Sequence, residues 1–118
     1  MSVRTKRAYE PAKAEDGYRV LVDRLWPRGV SKARARLDEW SRELAPSPEL
    51  RRWFGHDPLR FAEFRQRYLD ELMGQEEKVR ELRLRARAGT VTLVYGARDT
   101  EHNGAVVLAE QLRRRHAQ

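Results

Sequence analysis

The sequence predicts an α/β fold in which a small, mainly parallel sheet is flanked by helices in a single layered domain over residues 1–118. Two observations lead to this prediction. Residues 18–25 and 90–97 are apolar runs rich in β-branched residues, as in buried strands. The segments between and after these runs have apolar residues at helical spacing, which is typical of alternating strands and helices.

The first part of the chain is predicted to form a short strand, a loop and a helix. Residues 2–9 alternate polar and less polar side chains from a β-branched start, which predicts a strand. Residues 10–17 contain Pro, Asp and Gly and predict a loop. A helix is expected within residues 31–44, where helical spacing relates Leu37, Trp40, Ser41 and Leu44.

Caps and proline positions predict the next two helices. Ser47 is a hydroxyl N-cap, Pro48 occupies the first helical position, and Gly55 ends the helix. Asp57, which precedes another proline, begins the following helix. Its apolar face consists of Phe61, Phe64, Tyr68 and Leu72.

Two more helices complete the prediction. Gly74 breaks or bends the chain before a charged helical segment, residues 75–88. Asp99 or Thr100 is expected to cap a last helix that begins near Glu101. The core-facing residues of this helix are predicted to be Ala105, Val106, Ala109 and Leu112.

Composition excludes several classes of protein. Cysteine is absent, which rules out disulfide frameworks, Cys-ligated zinc, iron–sulfur clusters and thiol nucleophiles. No apolar stretch approaches the roughly 20 residues of a membrane span, and the N-terminal residues lack the apolar core of a signal peptide. We therefore expect a cytoplasmic protein with no membrane partner.

The chain is strongly basic. Its formal net charge is +7, its pI is about 10.4, and 21 of its 25 basic residues are Arg. A pI above about 9 is typical of nucleic-acid-binding domains. The arginine bias also fits genomic base composition or a surface rich in ion pairs.

Polar and aromatic residues follow both predicted central strands. Ligands of open parallel sheets bind in the crevice beyond the carboxyl ends of the strands. If the two strands are parallel and adjacent, these residues converge, and Gly29 and Gly96 let a ligand approach the backbone. Guanidinium groups bind phosphate or carboxylate through paired hydrogen bonds, so the first hypothesis is a small anionic, phosphate- or nucleotide-like ligand. Its predicted binding residues are Arg24, Arg28, Arg98, Trp26, Tyr95 and Asn103.

Two carboxylates are candidates for acid–base chemistry in this crevice. Asp23 and Asp99 would act as general bases or would orient the arginines, although a buried strand end or an N-cap also explains an aspartate. In a regular strand Asp23 and Arg24 point to opposite faces, so only one of them would line the crevice. Arg28 lies in a loop after a proline, so among the candidate residues it is the one whose presence a structural role explains least. Trp26 either stacks on a base or fills the core.

No metal or cofactor is predicted. His56, His102 and His116 are too scattered to indicate a metal site, although His56 and His102 are candidates for an acid–base or ligand role. The sequence contains no Gly-rich phosphate loop, no Ser-His-Asp order and no HExxH pattern.

The alternative hypothesis is nucleic-acid binding by an Arg-rich helical face, residues 78–87, with Trp and Tyr stacking on bases. The same helix also carries acidic residues: Glu77–Glu81 is a like-charge i,i+4 pair, while Glu76–Arg80 and Glu81–Arg85 are favourable pairs. Such a charged face is more typical of a solvated surface. A third hypothesis is an interaction protein whose partner the sequence does not identify. The oligomeric state is not predicted.

Several segments together resemble the YeaO-like proteins, the short branch of the bacterial family called domain of unknown function 488. They are DGYRVLVDRLWPRG at 16–29, DEW at 38–40, APS at 45–47, ELRRWF at 49–54, FRQRYLDEL at 64–72 and TLVYGARDTEHNGAVVLAEQL at 92–112. The resemblance covers nearly the whole chain and implies no defined activity. The positions that match the family pattern are Asp23, Arg24, Trp26, Pro27, Arg28, Gly29, Trp40, Pro46, Ser47, Tyr68, Asp99 and Asn103.

The resemblance also indicates a difference from longer relatives, which often carry a Cys-His-Arg sequence after the last strand. This chain has Asn103-Gly104-Ala105 at that place. Any thiol chemistry of those relatives therefore does not carry over.

Overall fold

A four-stranded parallel sheet forms the centre of the computed structural model, which describes residues 2–114. Its strands, in the spatial order β1-β4-β2-β3, are β1 (Ser2–Arg7), β2 (Tyr18–Leu21), β3 (Glu39–Trp40) and β4 (Thr90–Tyr95). The helices are α1 (Lys32–Ala35), α2 (Pro48–Phe54), α3 (Phe61–Leu72), α4 (Glu76–Ala88) and α5 (Gly104–Arg113). The predicted α/β fold is confirmed, and β2 and β4 are the parallel neighbours that the crevice hypothesis requires.

Both faces of the sheet are covered. Val20 and Leu93 belong to the larger core cluster, to which α2 through α5 contribute, and α4 and α5 contact both β1 and β4. Leu21 and Val94 belong to a smaller cluster on the opposite face, where Ala35 of α1 packs. Burial on both faces explains why the two central strands read as near-continuous apolar runs. None of the described helices is long and apolar enough to cross a membrane.

The second strand is shorter than the predicted residues 18–25, because the ladder stops just after Leu21. The Val22 N–H makes the last bond to β4, 3.0 Å from the Val94 carbonyl oxygen. One residue later, the backbone oxygen of Asp23 accepts a hydrogen bond from the Trp40 indole at 2.7 Å. The chain then turns away from the sheet, and Gly29 adopts a positive φ of 81° in the loop.

The predicted helix within residues 31–44 is wrong. α1 covers one turn, and Arg36 ends it in the left-handed conformation with φ of 46°. The chain then forms β3, which pairs with β2 at the edge of the sheet. There Trp40 packs edge-on against Trp26, with ring centroids 5.4 Å apart. Strand pairing and this aromatic contact override the helical spacing.

The next three helices follow the predicted caps and breaks. The Ser47 hydroxyl accepts a hydrogen bond from the Leu50 N–H at 3.1 Å, and Gly55 ends α2 in the left-handed conformation. A 3-10 turn at Pro58–Arg60 precedes α3, and Gly74 lies in the turn between α3 and α4.

The last helix begins later than predicted, at Gly104 rather than near Glu101. Its N-cap is Asn103, whose side-chain oxygen accepts a hydrogen bond from the Val106 N–H at 2.9 Å. Asp99 binds backbone N–H groups as well, but in a turn that precedes the helix. Neither Asp99 nor Thr100 is therefore the N-cap.

The later start also changes the buried face of α5. Ala105, Ala109 and Leu112 are buried as predicted, whereas Val106 is only half-buried. Val107 and Leu108, which were not predicted, are fully buried. A helix that begins at Gly104 presents these residues to the sheet.

A buried ion cluster connects the strands on the smaller-core side. Asp16 and Arg19 are 2% and 3% exposed, and their closest charged atoms are 2.6 Å apart. Lys6 of β1 adds a second ion pair to Asp16 at 3.1 Å. Burial alone would raise the pKa of Asp16, but hydrogen bonds from the Lys13 N–H, Lys6 and Arg19 outweigh it and lower the pKa.

Replacing Asp16→Asn should destabilise the protein by about 3 kcal/mol, because Arg19 would remain buried without its counter-charge. Because the pKa of Asp16 is lowered in the folded protein, the ionised carboxylate stabilises the wild type, and this contribution is lost as acid protonates it. The difference in the free energy of unfolding between wild type and variant should therefore narrow below about pH 4. Urea denaturation across pH measures both effects.

The matched control is Glu63→Gln, which removes the carboxylate of an exposed pair with Arg67 on α3. Its effect should stay within about 0.5 kcal/mol, as is usual for exposed pairs. An Asp16→Asn variant as stable as this control would show that the buried cluster contributes little.

Candidate functional site

A cleft of about 240 Å³ opens at the carboxyl ends of β2 and β4. The loop after β2, the end of α2, the segment after β4 and the start of α5 surround it. Five of the residues predicted from sequence line this cleft: Asp23, Arg24, Trp26, Tyr95 and Asn103. The two strand ends therefore converge.

Three predicted site residues lie elsewhere. Arg28 and Arg98 are exposed and do not line the cleft. The backbone oxygen of Arg28 accepts a hydrogen bond from the Tyr9 hydroxyl at 3.0 Å, which fixes the loop at the surface. Asp99 is half-buried in the turn before α5 and is also outside the lining.

Asp23 and Arg24 both line the cleft, although a regular strand would place them on opposite faces. Both side chains can line the cleft because β2 ends before Asp23, so the alternation of a regular strand no longer applies to them. Asp23 Oδ2 accepts a hydrogen bond from the Gly96 N–H at 2.8 Å, and a Cβ on Gly96 would lie only 3.3 Å from that oxygen. The Arg24 guanidinium donates to the backbone oxygens of Ala45 and Pro46 at 3.3 and 3.4 Å.

The sequence interpretation missed Arg51, and it named His56 as a candidate for an acid–base or ligand role without placing it in the cleft. Arg51 comes from α2, and His56 follows the Gly55 that ends this helix. His56 adopts a positive φ of 57°, which is unusual for a residue with a side chain. The Gly55-His56 pair marks a helix end in the sequence, whereas nothing in the sequence distinguishes Arg51 from its neighbour Arg52 or from the other arginines.

Aromatic and other apolar side chains form much of the cleft wall. Phe54 and Phe64 stack with ring centroids 4.3 Å apart, and both line the cleft beside Trp26. The Trp26 indole donates to the Val30 backbone oxygen at 2.6 Å, which fixes the ring. The cleft therefore combines fixed flat surfaces with a few charged groups.

The charged side chains that line the cleft include two arginines and one aspartate. Neither Arg24 nor Arg51 forms a salt bridge with any residue in the range 2–114. Asp23 is the carboxyl group among the lining residues, and burial raises its pKa despite the Gly96 N–H, Arg51 and His56, which lower it. The lining of the cleft thus contains two guanidinium groups without a salt bridge and a single carboxyl group.

Asp99, His102 and Asn103 form a connected turn at the start of α5. The Asp99 carboxylate accepts hydrogen bonds from the backbone N–H groups of Glu101 and His102, and it contacts the His102 ring at 2.9 Å. These interactions lower the pKa of Asp99. The Asn103 amide nitrogen donates to the Asp99 backbone oxygen at 2.8 Å, while its oxygen caps the helix. This arrangement holds α5 against the cleft.

The Arg-rich face of α4 is partly used inside the protein. Arg83 is buried and donates to two backbone oxygens in the last turn of α5, at 3.2 and 2.8 Å. The Arg85 guanidinium lies over the Tyr18 ring, 3.9 Å from its centroid. Arg80 and Arg87 are exposed.

Within residues 2–114, no group of three or more His, Asp or Glu side chains is placed to hold a metal ion. His56 lines the cleft, whereas His102 does not line it and contacts Asp99, and His116 is outside the described residues.

Comparison with known proteins identifies the family. The family model described as "Inactive DUF488-N3 subclade" matches residues 2–118. The chain belongs to the inactive DUF488-N3 subclade. The resemblance to YeaO-like proteins is confirmed, because the uncharacterised protein YeaO of Escherichia coli K12 is 47% identical over 113 residues, which are 96% of this chain and 98% of YeaO.

Mycobacterial proteins are also similar to this DUF488-N3 chain. The uncharacterised proteins Rv3073c of Mycobacterium tuberculosis H37Rv and Mb3100c of Mycobacterium bovis are each 44% identical over 110 residues. The match covers 93% of this chain and 92% of each relative. No solved structure matches the chain.

Replacing Asp23→Asn should stabilise the folded protein at neutral pH. The pKa of Asp23 is raised because burial destabilises its ionised carboxyl more than the Gly96 N–H and the neighbouring cationic groups stabilise it. An Asn oxygen can still accept the hydrogen bond from the Gly96 N–H. As the pH falls towards 3.8, the ordinary pKa of an aspartate, Asp23 becomes protonated and the wild type is no longer destabilised by its charge. The difference in stability between the variant and the wild type should therefore disappear near that pH. Thermal unfolding between pH 4 and pH 8 measures the difference. A lower melting temperature at pH 7 would contradict this prediction.

Proposed function

We propose that the cleft binds a small anionic, phosphate- or nucleotide-like ligand, and that the protein holds this ligand without converting it. The observation that carries the proposal is the position of Arg24 and Arg51. Both guanidinium groups line one cleft at the carboxyl ends of parallel strands, and neither forms a salt bridge with any of the described residues. Guanidinium groups left without counter-ions in a concave site favour an anion.

The start of α5 supports the same proposal. Asn103 and Gly104 line the cleft, so the first turn of a ten-residue helix borders the binding space. The free N–H groups and the positive dipole end of a helix favour an anion. This contribution adds to that of the two arginines.

Several features favour binding over catalysis. The family description contains the word "inactive". The resemblance described above also implies that this chain has Asn103-Gly104-Ala105 at the place where longer relatives often have Cys-His-Arg. The described lining residues include no Ser, Thr or Lys, and Asp23 has no second carboxyl group beside it for paired acid–base chemistry.

The first test is calorimetric titration with inorganic phosphate, ribose 5-phosphate and the four common nucleoside monophosphates. We expect at least one of them to bind the wild type. Arg51→Met should weaken that binding tenfold or more, because a charge-assisted hydrogen bond is worth about 1.5–3 kcal/mol. The melting temperature of the variant should stay close to that of the wild type, since Arg51 is exposed and makes no ion pair.

Arg28→Met is the matched control, because it removes the same charge from a loop outside the cleft. It should bind the ligand as the wild type does. Equal losses in the two variants would indicate a general effect of surface charge, and a site in the cleft would then be excluded. Failure of every probe to bind the wild type would also overturn the proposal.

A further inference from the structure

We infer that the ligand is a nucleoside monophosphate whose flat base donates a hydrogen bond to Asp23 while its phosphate lies against Arg24 and Arg51. This inference rests on the proposed function and specifies the ligand of the same cleft. Three features carry it: a fixed acceptor, two guanidinium groups without a salt bridge and an apolar wall.

The first feature is the fixed carboxyl group of Asp23. Its Oδ2 accepts the Gly96 N–H bond at 2.8 Å, and its backbone oxygen accepts the Trp40 indole N–H at 2.7 Å. Oδ1 has no hydrogen-bond partner within residues 2–114. Since no buried side-chain oxygen or nitrogen in this range lacks a partner, Oδ1 is open to solvent at the cleft. An ionised carboxylate accepts hydrogen bonds only, so the ligand must bring a donor.

The second feature is the arrangement of charge. A phosphate placed directly against the Asp23 carboxylate would meet a like charge in a partly buried site. The same phosphate is favoured beside Arg24, which is anchored to the 45–46 backbone, and beside Arg51 of α2. The ligand therefore has two ends, an anionic one and a hydrogen-bond-donating one. Inorganic phosphate satisfies the first end only.

The third feature is the apolar wall of the same cleft. Phe54, Phe64, Trp26 and Pro46 present apolar surface to the cleft, and hydrogen bonds and stacking hold the rings in place. Burying this surface is favourable when the ligand has an apolar face of its own. A nucleobase has a flat π-face together with N–H donors at its edge, so it meets both requirements.

The size of the cleft limits the ligand. Its volume of about 240 Å³ is below the roughly 300–1,000 Å³ of pockets that enclose drug-sized ligands. A single base fits inside, with its sugar phosphate at the mouth, where Arg51 is exposed. A dinucleotide would extend beyond the cleft.

The decisive comparison is calorimetric titration of the wild type with each nucleoside monophosphate and with ribose 5-phosphate. At least one nucleotide should bind tenfold or more tightly than ribose 5-phosphate, because only the nucleotide contacts Asp23 and the aromatic wall. Methylation of the N–H donors on the best base should remove this advantage. This second measurement uses the unmodified protein and does not depend on the folding of any variant.

Asp23→Asn tests the recognising residue. The Asn oxygen can still accept the hydrogen bond from the Gly96 N–H. In that orientation the Asn amide N–H groups point towards the ligand, so a donor of the protein would meet the N–H donor of the base. Affinity for the best nucleotide should fall tenfold or more, with affinity for ribose 5-phosphate unchanged or improved. Glu49→Gln, which removes one exposed negative charge from α2 outside the cleft, should change neither affinity.

The outcomes separate the inference from the proposed function. One outcome is that ribose 5-phosphate and every nucleotide bind with equal affinity and that Arg51→Met weakens all of them. This result would support the anion site and would overturn base recognition. A nucleotide preference that survives in Asp23→Asn, or after methylation of the donors, would overturn the role of Asp23. No binding by any probe would overturn both proposals.

Discussion

The hydrogen bond from the Gly96 N–H to Asp23 is the interaction on which the rest of the cleft depends. It joins the segments that follow the two central strands just where the β2–β4 ladder ends. With this bond in place, the chain leaves the sheet and directs Asp23 and Arg24 into one space. The Trp40 indole reinforces the turn from the edge strand. A longer β2 would have sent the two side chains to opposite faces.

The charges in this protein serve two different purposes. Asp16 and Arg19 are buried and paired, so their charges are compensated and connect the strands. Asp23 is partly desolvated, which costs stability when its carboxyl is ionised, and Arg24 and Arg51 form no salt bridge with any described residue. Uncompensated charges of this kind are common at functional sites, where stability is exchanged for binding. The contrast between the two clusters is the main physical reason to place a ligand in the cleft.

The high arginine content also acquires a structural explanation. Arg83 satisfies backbone oxygens at the end of α5, and Arg85, Arg42 and Arg67 lie over aromatic rings. A guanidinium group stacks and donates in a plane, which a lysine cannot do. Part of the positive charge is therefore committed to the fold, so net charge alone is a weak guide to the partner.

The sequence by itself determined the fold class, the parallel central strands, the capped helices after Ser47 and most of one strand-end crevice, because apolar period and cap chemistry are local properties. Only the tertiary structure decided where β2 ends, that residues 39–40 form a strand, and that Asn103 caps α5. It also added Arg51 and His56 to the cleft and placed Arg28, Arg98 and Asp99 outside it. These outcomes depend on contacts between residues far apart in the chain, such as Gly96 with Asp23 and Trp40 with Trp26. The sequence pattern alone does not indicate which of the many arginines lines the cleft together with Asp23.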